Sequence, residues 1–162
     1  RESDPHDALD LYGKSKSLGE PSKKSLVLRT SIIGTEKENY YSLISWVLKQ
    51  DGKKINGFIN HFWNGITTLQ YAKIVEKIIL ENLYKPGLRH IFSPEIVNKF
   101  LLIKYISEVF NVKAKINPYY DNITIARHLS SDYDFVNYFN IPKIEEQLIE
   151  LKKFVSVNGR RY

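Results

Sequence analysis

The 162-residue sequence contains no cysteine and no methionine. Without cysteine, disulfides, thiolate catalysis and cysteine-ligated zinc are excluded. The four histidines, His6, His61, His90 and His128, are spread along the chain with no metal-ligand spacing, so no metal site is expected. Glycine is scarce and dispersed: Gly13, Gly19, Gly34, Gly52, Gly57, Gly65, Gly87 and Gly159 form no glycine-rich phosphate-cradling run. No apolar run approaches the roughly 18 residues that span a bilayer, and no leader pattern opens the sequence. No membrane partner is therefore expected, and the cytoplasm is the default location.

What the sequence does contain is an ordinary globular balance, 43% hydrophobic and 26% charged residues, with a net charge of +6. A positive balance with abundant aromatics raises nucleic-acid binding as an option. The arrangement argues against it. Lysines alternate with Glu along helical stretches such as YAKIVEKIILEN, the solvated face of an amphipathic helix. No nucleic-acid partner is expected.

Strand and helix patterns alternate along the chain, which argues an α/β fold. A helix beginning near Asp7 and Asp10 runs to about Glu20, before Pro21. Ser25 to Ile33 is a β-branched apolar run that reads as one buried parallel strand. Helices are expected over Tyr40 to Lys49, from Thr67 or Thr68 to Asn82, over Lys99 to Phe110, over Asp132 to Phe139, and from Lys143 to about Val155. In the second of these, Leu69, Ala72, Ile74, Val75, Ile78 and Ile79 form the expected buried face. Strands are expected over Lys54 to Ile59, Leu88 to Phe92 and Lys113 to Asn117, and Asn60 to Thr67 reads as a polar and aromatic loop.

The most informative chemistry lies in DLYGKSKSLGE, where Tyr12 and Lys16 stand four apart on a helix and share one face. A lysine ammonium beside a phenol favours the ionised phenol, so the pair is suited to giving a proton to a carbonyl oxygen. Alone, Tyr-x-x-x-Lys is a common accident of helices. Here it is followed by LVLRTSIIG and then by NHFWNGITTLQYAK. In that order these segments resemble the extended short-chain dehydrogenase/reductases, and among them most closely the dTDP-4-dehydrorhamnose reductase family. RTSIIG is similar to that family's RTSxxxG strand, and GITTLQYAK stands where the family has a Pro-Thr-containing loop leading into a helix. The resemblance runs from about residue 7 to 150.

The resemblance implies the C-terminal part of a Rossmann-like parallel sheet plus a smaller α/β substrate-binding lobe. Residues 1–34 would end the NAD(P)-binding domain, and residues 35–162 would form mainly the substrate lobe, with some elements returning to the first domain. The family's glycine-rich turn and its catalytic Ser or Thr have no counterpart here. Together with the lack of methionine, this reads as the later part of a longer protein, inactive by itself.

The implied activity is NADPH- or NADH-dependent reduction of a nucleotide-linked 4-keto sugar, in surface polysaccharide or deoxysugar biosynthesis. The alternatives are an epimerase or dehydratase of the same superfamily, or a non-catalytic regulatory subunit that keeps the fold. The resemblance makes Tyr12 the general acid and Lys16 its partner, which also holds the nicotinamide ribose. It places Thr30 and Ser31 beside the cofactor. Arg29 is either a substrate contact or an internal ion pair. Asn60, Trp63, Asn64 and Thr67 are candidates for a nucleotide-sugar wall, with Trp63 alternatively a core plug and Thr67 a helix cap. Arg127, before Leu129 and Ser130, resembles a late family arginine that would pair with phosphate or sugar. Family members often pair through helices beside the Tyr-Lys helix, so a homodimer is part of the expectation.

Overall fold

The structure, a computed structural model, describes residues 1–20, 24–36 and 41–157. Helix α1 (Leu11–Leu18) starts at Asp10, whose side chain accepts the Gly13 N–H, and it buries none of its residues. Strands β1 (Leu26–Arg29) and β2 (Ile32–Ile33) follow. Helix α2 (Leu43–Leu48), capped by Ser42, leads to β3 (Lys54–Phe58), β4 (His61–Trp63) and β5 (Ile66–Thr67). Thr67 caps α3 (Thr68–Leu80), and β6 (Gly87–His90) comes next. Strand β7 (Val97–Asn98) ends in the Asn98 cap of α4 (Lys99–Phe110). Then come β8 (Lys115–Tyr119), β9 (Ile125–Arg127), a 3₁₀ helix (Asp134–Phe139) and α5 (Ile144–Val157).

Among the described residues the strands form small, mostly parallel sheets. β1 pairs with β6, β2 with β5, and β3 with β8, all parallel. β4 lies between antiparallel β7 and parallel β9. Parallel pairs need crossover connections, and helices supply them. The fold is therefore α/β.

Two cores stabilise these sheets. In the first, α2, α4 and α5 bring together Ile44, Val47, Leu102, Ile103, Ile106, Ile144, Leu148 and Leu151, with Ile55 of β3 and Ile116 of β8 packed against them. In the second, Ile74 and Ile78 of α3 meet Ile66, Ile91, Val136, Phe139 and Ile141, beside Leu26 and Leu28 of β1. Buried Gln147 on α5 ties the two regions: its Oε1 accepts the Thr67 N–H at 2.9 Å and its Nε2 donates to the Pro142 carbonyl at 2.7 Å.

Several expectations are corrected. The single strand over Ser25 to Ile33 is two: the chain breaks at Thr30 and Ser31, and β1 and β2 pair with different partners. The reason is that the Ser31 carbonyl accepts the Ile66 N–H, turning the chain from one sheet to the next. The segment Asn60 to Thr67 is not a loop but carries β4 and β5. On α3 the buried stripe narrows to Ile74 and Ile78, and Ile79 is 71% exposed with Ala72 also at the surface. β8 begins two residues later than expected and continues through Pro118, tolerated because β8 is an edge strand. The segment before Phe139 winds as a 3₁₀ helix rather than an α-helix.

Candidate active site

Tyr12 and Lys16 lie one turn apart on α1, with Lys16 Nζ 5.3 Å from the centroid of the Tyr12 ring. Tyr12 is 73% exposed. Among the described residues no hydrogen bond engages its hydroxyl or the Lys16 ammonium, so both polar ends are free to meet a ligand. The chain then passes into β1, whose C-terminal end carries the other residues expected near the cofactor. Ligands of open parallel α/β sheets bind beyond the carboxyl ends of their strands. Thr30 is half-buried, and among the described residues its hydroxyl makes a 3.4 Å bond to the Ser31 carbonyl. The Ser31 hydroxyl accepts the Trp63 indole N–H at 2.7 Å.

That bond links Ser31, which follows β1, to Trp63, one of the residues lining a cavity of about 360 Å³. Aromatic Phe58, Phe62 and Trp63 line it, together with Ile33, Leu43, Leu102 and Ile125. Its polar groups are His61, Lys99 and Arg127. His61 stacks on Phe58 with centroids 4.3 Å apart, and its Nε2 lies 2.9 Å from Asp121 Oδ2. Lys99 is the first residue of α4, and its Nζ lies 5.8 Å from the centroid of the Phe58 ring. An apolar, ring-lined cavity with a few cations at its wall is suited to a planar base carried on an anionic group.

The other expected wall residues are spent on architecture. Asn60, 4% exposed, donates to the Asp121 carbonyl at 2.8 Å and accepts the Asp121 N–H at 3.0 Å, which fixes the turn before β9. Asn64 makes the same two-way clasp with the backbone of Leu129, both bonds at 2.8 Å. Thr67 caps α3 through the Gln70 N–H. None of the three is among the cavity-lining residues, whereas Trp63 and Arg127 are. Arg29, expected as a substrate contact or an internal ion pair, makes the ion pair, with Glu20 at 2.9 Å.

Sequence reasoning missed Lys99, Phe58 and Phe62. For Lys99 a signal existed, since it directly follows the helix-capping Asn98, where an anion is favoured by the helix N-terminus. For Phe58 and Phe62 there was none, because their meeting depends on the turn between β3 and β4.

No family model matches the sequence, and no curated protein matches it significantly. Solved structures do. A dTDP-4-dehydrorhamnose reductase from Bacillus anthracis in complex with NADP superposes with a TM-score of 0.73 at 20% identity, over 94% of this chain and 58% of that one. An orthologous reductase from Clostridium acetobutylicum gives a TM-score of 0.75 at 17% identity, over 96% and 59%. A dTDP-glucose 4,6-dehydratase from B. anthracis in complex with NAD gives 0.64 at 13% identity, over 98% and 56%. The fold is that of the short-chain dehydrogenase/reductase sugar-nucleotide enzymes. The chain spans less than three-fifths of the length of these enzymes. Among the described residues no helix is long and apolar enough to cross a membrane.

Proposed function

We propose that the protein containing this chain is an NAD(P)H-dependent reductase of a nucleotide-linked 4-keto sugar. The observation that carries the reading is the exposed Tyr12–Lys16 pair, both polar ends unengaged, on a fold shared with dTDP-4-dehydrorhamnose reductases. In this reading residues 1–34 close the cofactor-binding domain, and residues 35–162 supply mainly the substrate lobe. β6 returns to the first domain by pairing with β1.

The residues present fit the nicotinamide end of a dinucleotide: a free ammonium and phenol on α1, and the Thr30 hydroxyl at a strand's carboxyl end. The reduced nicotinamide, when bound, supplies hydride to the keto carbon. Tyr12 Oη donates the proton that the keto oxygen takes up, and Lys16 holds that phenol and the ribose hydroxyls together. Ser31 positions Trp63 at the cavity wall through the indole bond. Lys99 and Arg127 pair with the diphosphate, and the rings of Phe58, Phe62 and Trp63 enclose the base. Asn60 and Asn64 serve the site indirectly, by holding the two ends of the segment that carries Arg127.

The test is oxidation of NADPH or NADH by the full-length protein across a panel of nucleotide-linked 4-keto sugars. Turnover is expected, and Lys99→Ala and Arg127→Ala are each expected to raise KM for the sugar nucleotide about tenfold with kcat little changed. Turnover with free keto sugars but not with nucleotide-linked ones would overturn the assignment of the cavity.

A further inference from the structure

A proton donor must be held in place, yet α1 has no buried residue to hold it by packing. Its attachment is polar. Glu20, just past the helix, receives two bonds from one guanidinium: Arg29 Nε donates to Oε1 and Arg29 Nη2 to Oε2, both at 3.0 Å. This planar, two-bond geometry fixes direction as well as distance. A second strut reaches the helix itself. His6 Nε2 lies 3.2 Å from Arg29 Nη2, and His6 Nδ1 lies 2.6 Å from the hydroxyl of Ser17 in the last turn of α1.

Arg29 is itself set from behind. It ends β1 in register with His90 of β6, and the Arg29 carbonyl accepts the Ile91 N–H at 2.9 Å. Its Nη1 lies 3.3 Å from Nε2 of His90, which is 1% exposed. His90 Nδ1 lies 2.8 Å from the Ser130 carbonyl. A carbonyl only accepts and a guanidinium only donates, so the two neighbours assign the neutral ring with hydrogen on Nδ1. A polar relay therefore runs from the Ser130 carbonyl through His90 and Arg29 to Glu20 and α1.

We propose that Arg29 is a positioning residue for Tyr12: it docks α1 onto the sheet through Glu20, with His90 fixing the guanidinium. This rests on Tyr12 being the proton donor of the proposed reaction. It also replaces a direct contact between Arg29 and substrate with an indirect one.

The experiment uses the full-length protein with Arg29→Met, Arg29→Lys, Glu20→Gln, the Arg29→Met/Glu20→Gln double variant, and Tyr12→Phe. Amide hydrogen exchange over Leu11–Leu18 is compared with that over α4, and kcat and KM are measured in parallel. Expected is exchange of α1 faster by about tenfold in Arg29→Met and in Glu20→Gln, with α4 unchanged. Also expected is a kcat about ten- to a hundredfold lower in both, with an unchanged KM for the sugar nucleotide. The double variant should be no worse than either single one, and Arg29→Lys should recover part of kcat. Unchanged α1 exchange, or a raised KM in Arg29→Met with Glu20→Gln silent, would overturn the proposal. Full activity in Tyr12→Phe would instead remove the proton-donor reading, while the exchange data still decide whether Arg29 docks the helix. Since Glu20 lies near the surface, Glu20→Gln keeps the test alive if Arg29→Met does not fold.

Discussion

At the scale of single residues, the site depends on close approaches that tolerate little change. Gly65 is an example: a Cβ there would overlap both the Ser31 carbonyl oxygen and the Trp63 indole. Gly65→Ala should therefore part Ser31 from Trp63 and destabilise the fold by about 1–3 kcal/mol, read as a lower denaturation midpoint. Glu2 carries a different kind of constraint. Partial burial pushes its carboxyl upward, but the Ser131 hydroxyl and the N–H groups of Asp132 and His90 outweigh this and bring it down to about 2. A carboxyl lowered on folding contributes stability that is fully present above its ordinary value near 4.5 and is lost as pH falls toward 2. The docking of residues 1–4 on the 130–132 segment should thus loosen across that window, and exchange or fluorescence of this region against pH would show it. A Glu2→Gln variant should weaken this pH dependence and leave the part carried by Asp132, whose carboxyl the Ser3 hydroxyl and the Arg1 guanidinium also hold below its usual range. The pairing of Tyr12 with Lys16 on one helix was legible in the sequence because four-residue spacing on a helix is a local property. Lys99 and the rings around it were not, because the cavity is assembled from β3, β4, α4 and β9, far apart along the chain.

At the scale of elements, long periodic segments were easy to read and short strands were not. The helix over Lys99 to Phe110 stands as the sequence pattern placed it, framed by Asn98 and by Asn111 in the left-handed conformation that ends it. β5 and β7, two residues each, bear no periodicity to detect, and exist because neighbours offer backbone partners. The strand break at Thr30 and Ser31 was hidden for the same reason. One side chain on α5 shows how elements are locked together. Gln147 is fully buried and bonds both the N–H before α3 and the carbonyl of Pro142. Gln147→Ala should leave both groups unpartnered and cost about 1–3 kcal/mol, measured by denaturant unfolding.

At the scale of the whole molecule, two hydrophobic clusters among the described residues hold the fold, one gathered by α2, α4 and α5 and one by α3 with Val136, Phe139 and Ile141. The α/β class followed from alternation along the chain, whereas the division into small sheets required the pairings themselves. A net charge of +6 would suit the two anionic ligands of the proposed reaction, and Lys99 and Arg127 bring part of it to the cavity wall. The central claim concerns one proton, and the most direct test is the single-turnover rate of nicotinamide oxidation in the full-length protein with a nucleotide-linked 4-keto sugar, for wild type and Tyr12→Phe, with cofactor affinity measured alongside. The account predicts a rate about 10²–10⁴-fold lower in Tyr12→Phe with cofactor affinity retained. Equal rates in the two proteins, or a wild type that binds both ligands and never turns over, would contradict it.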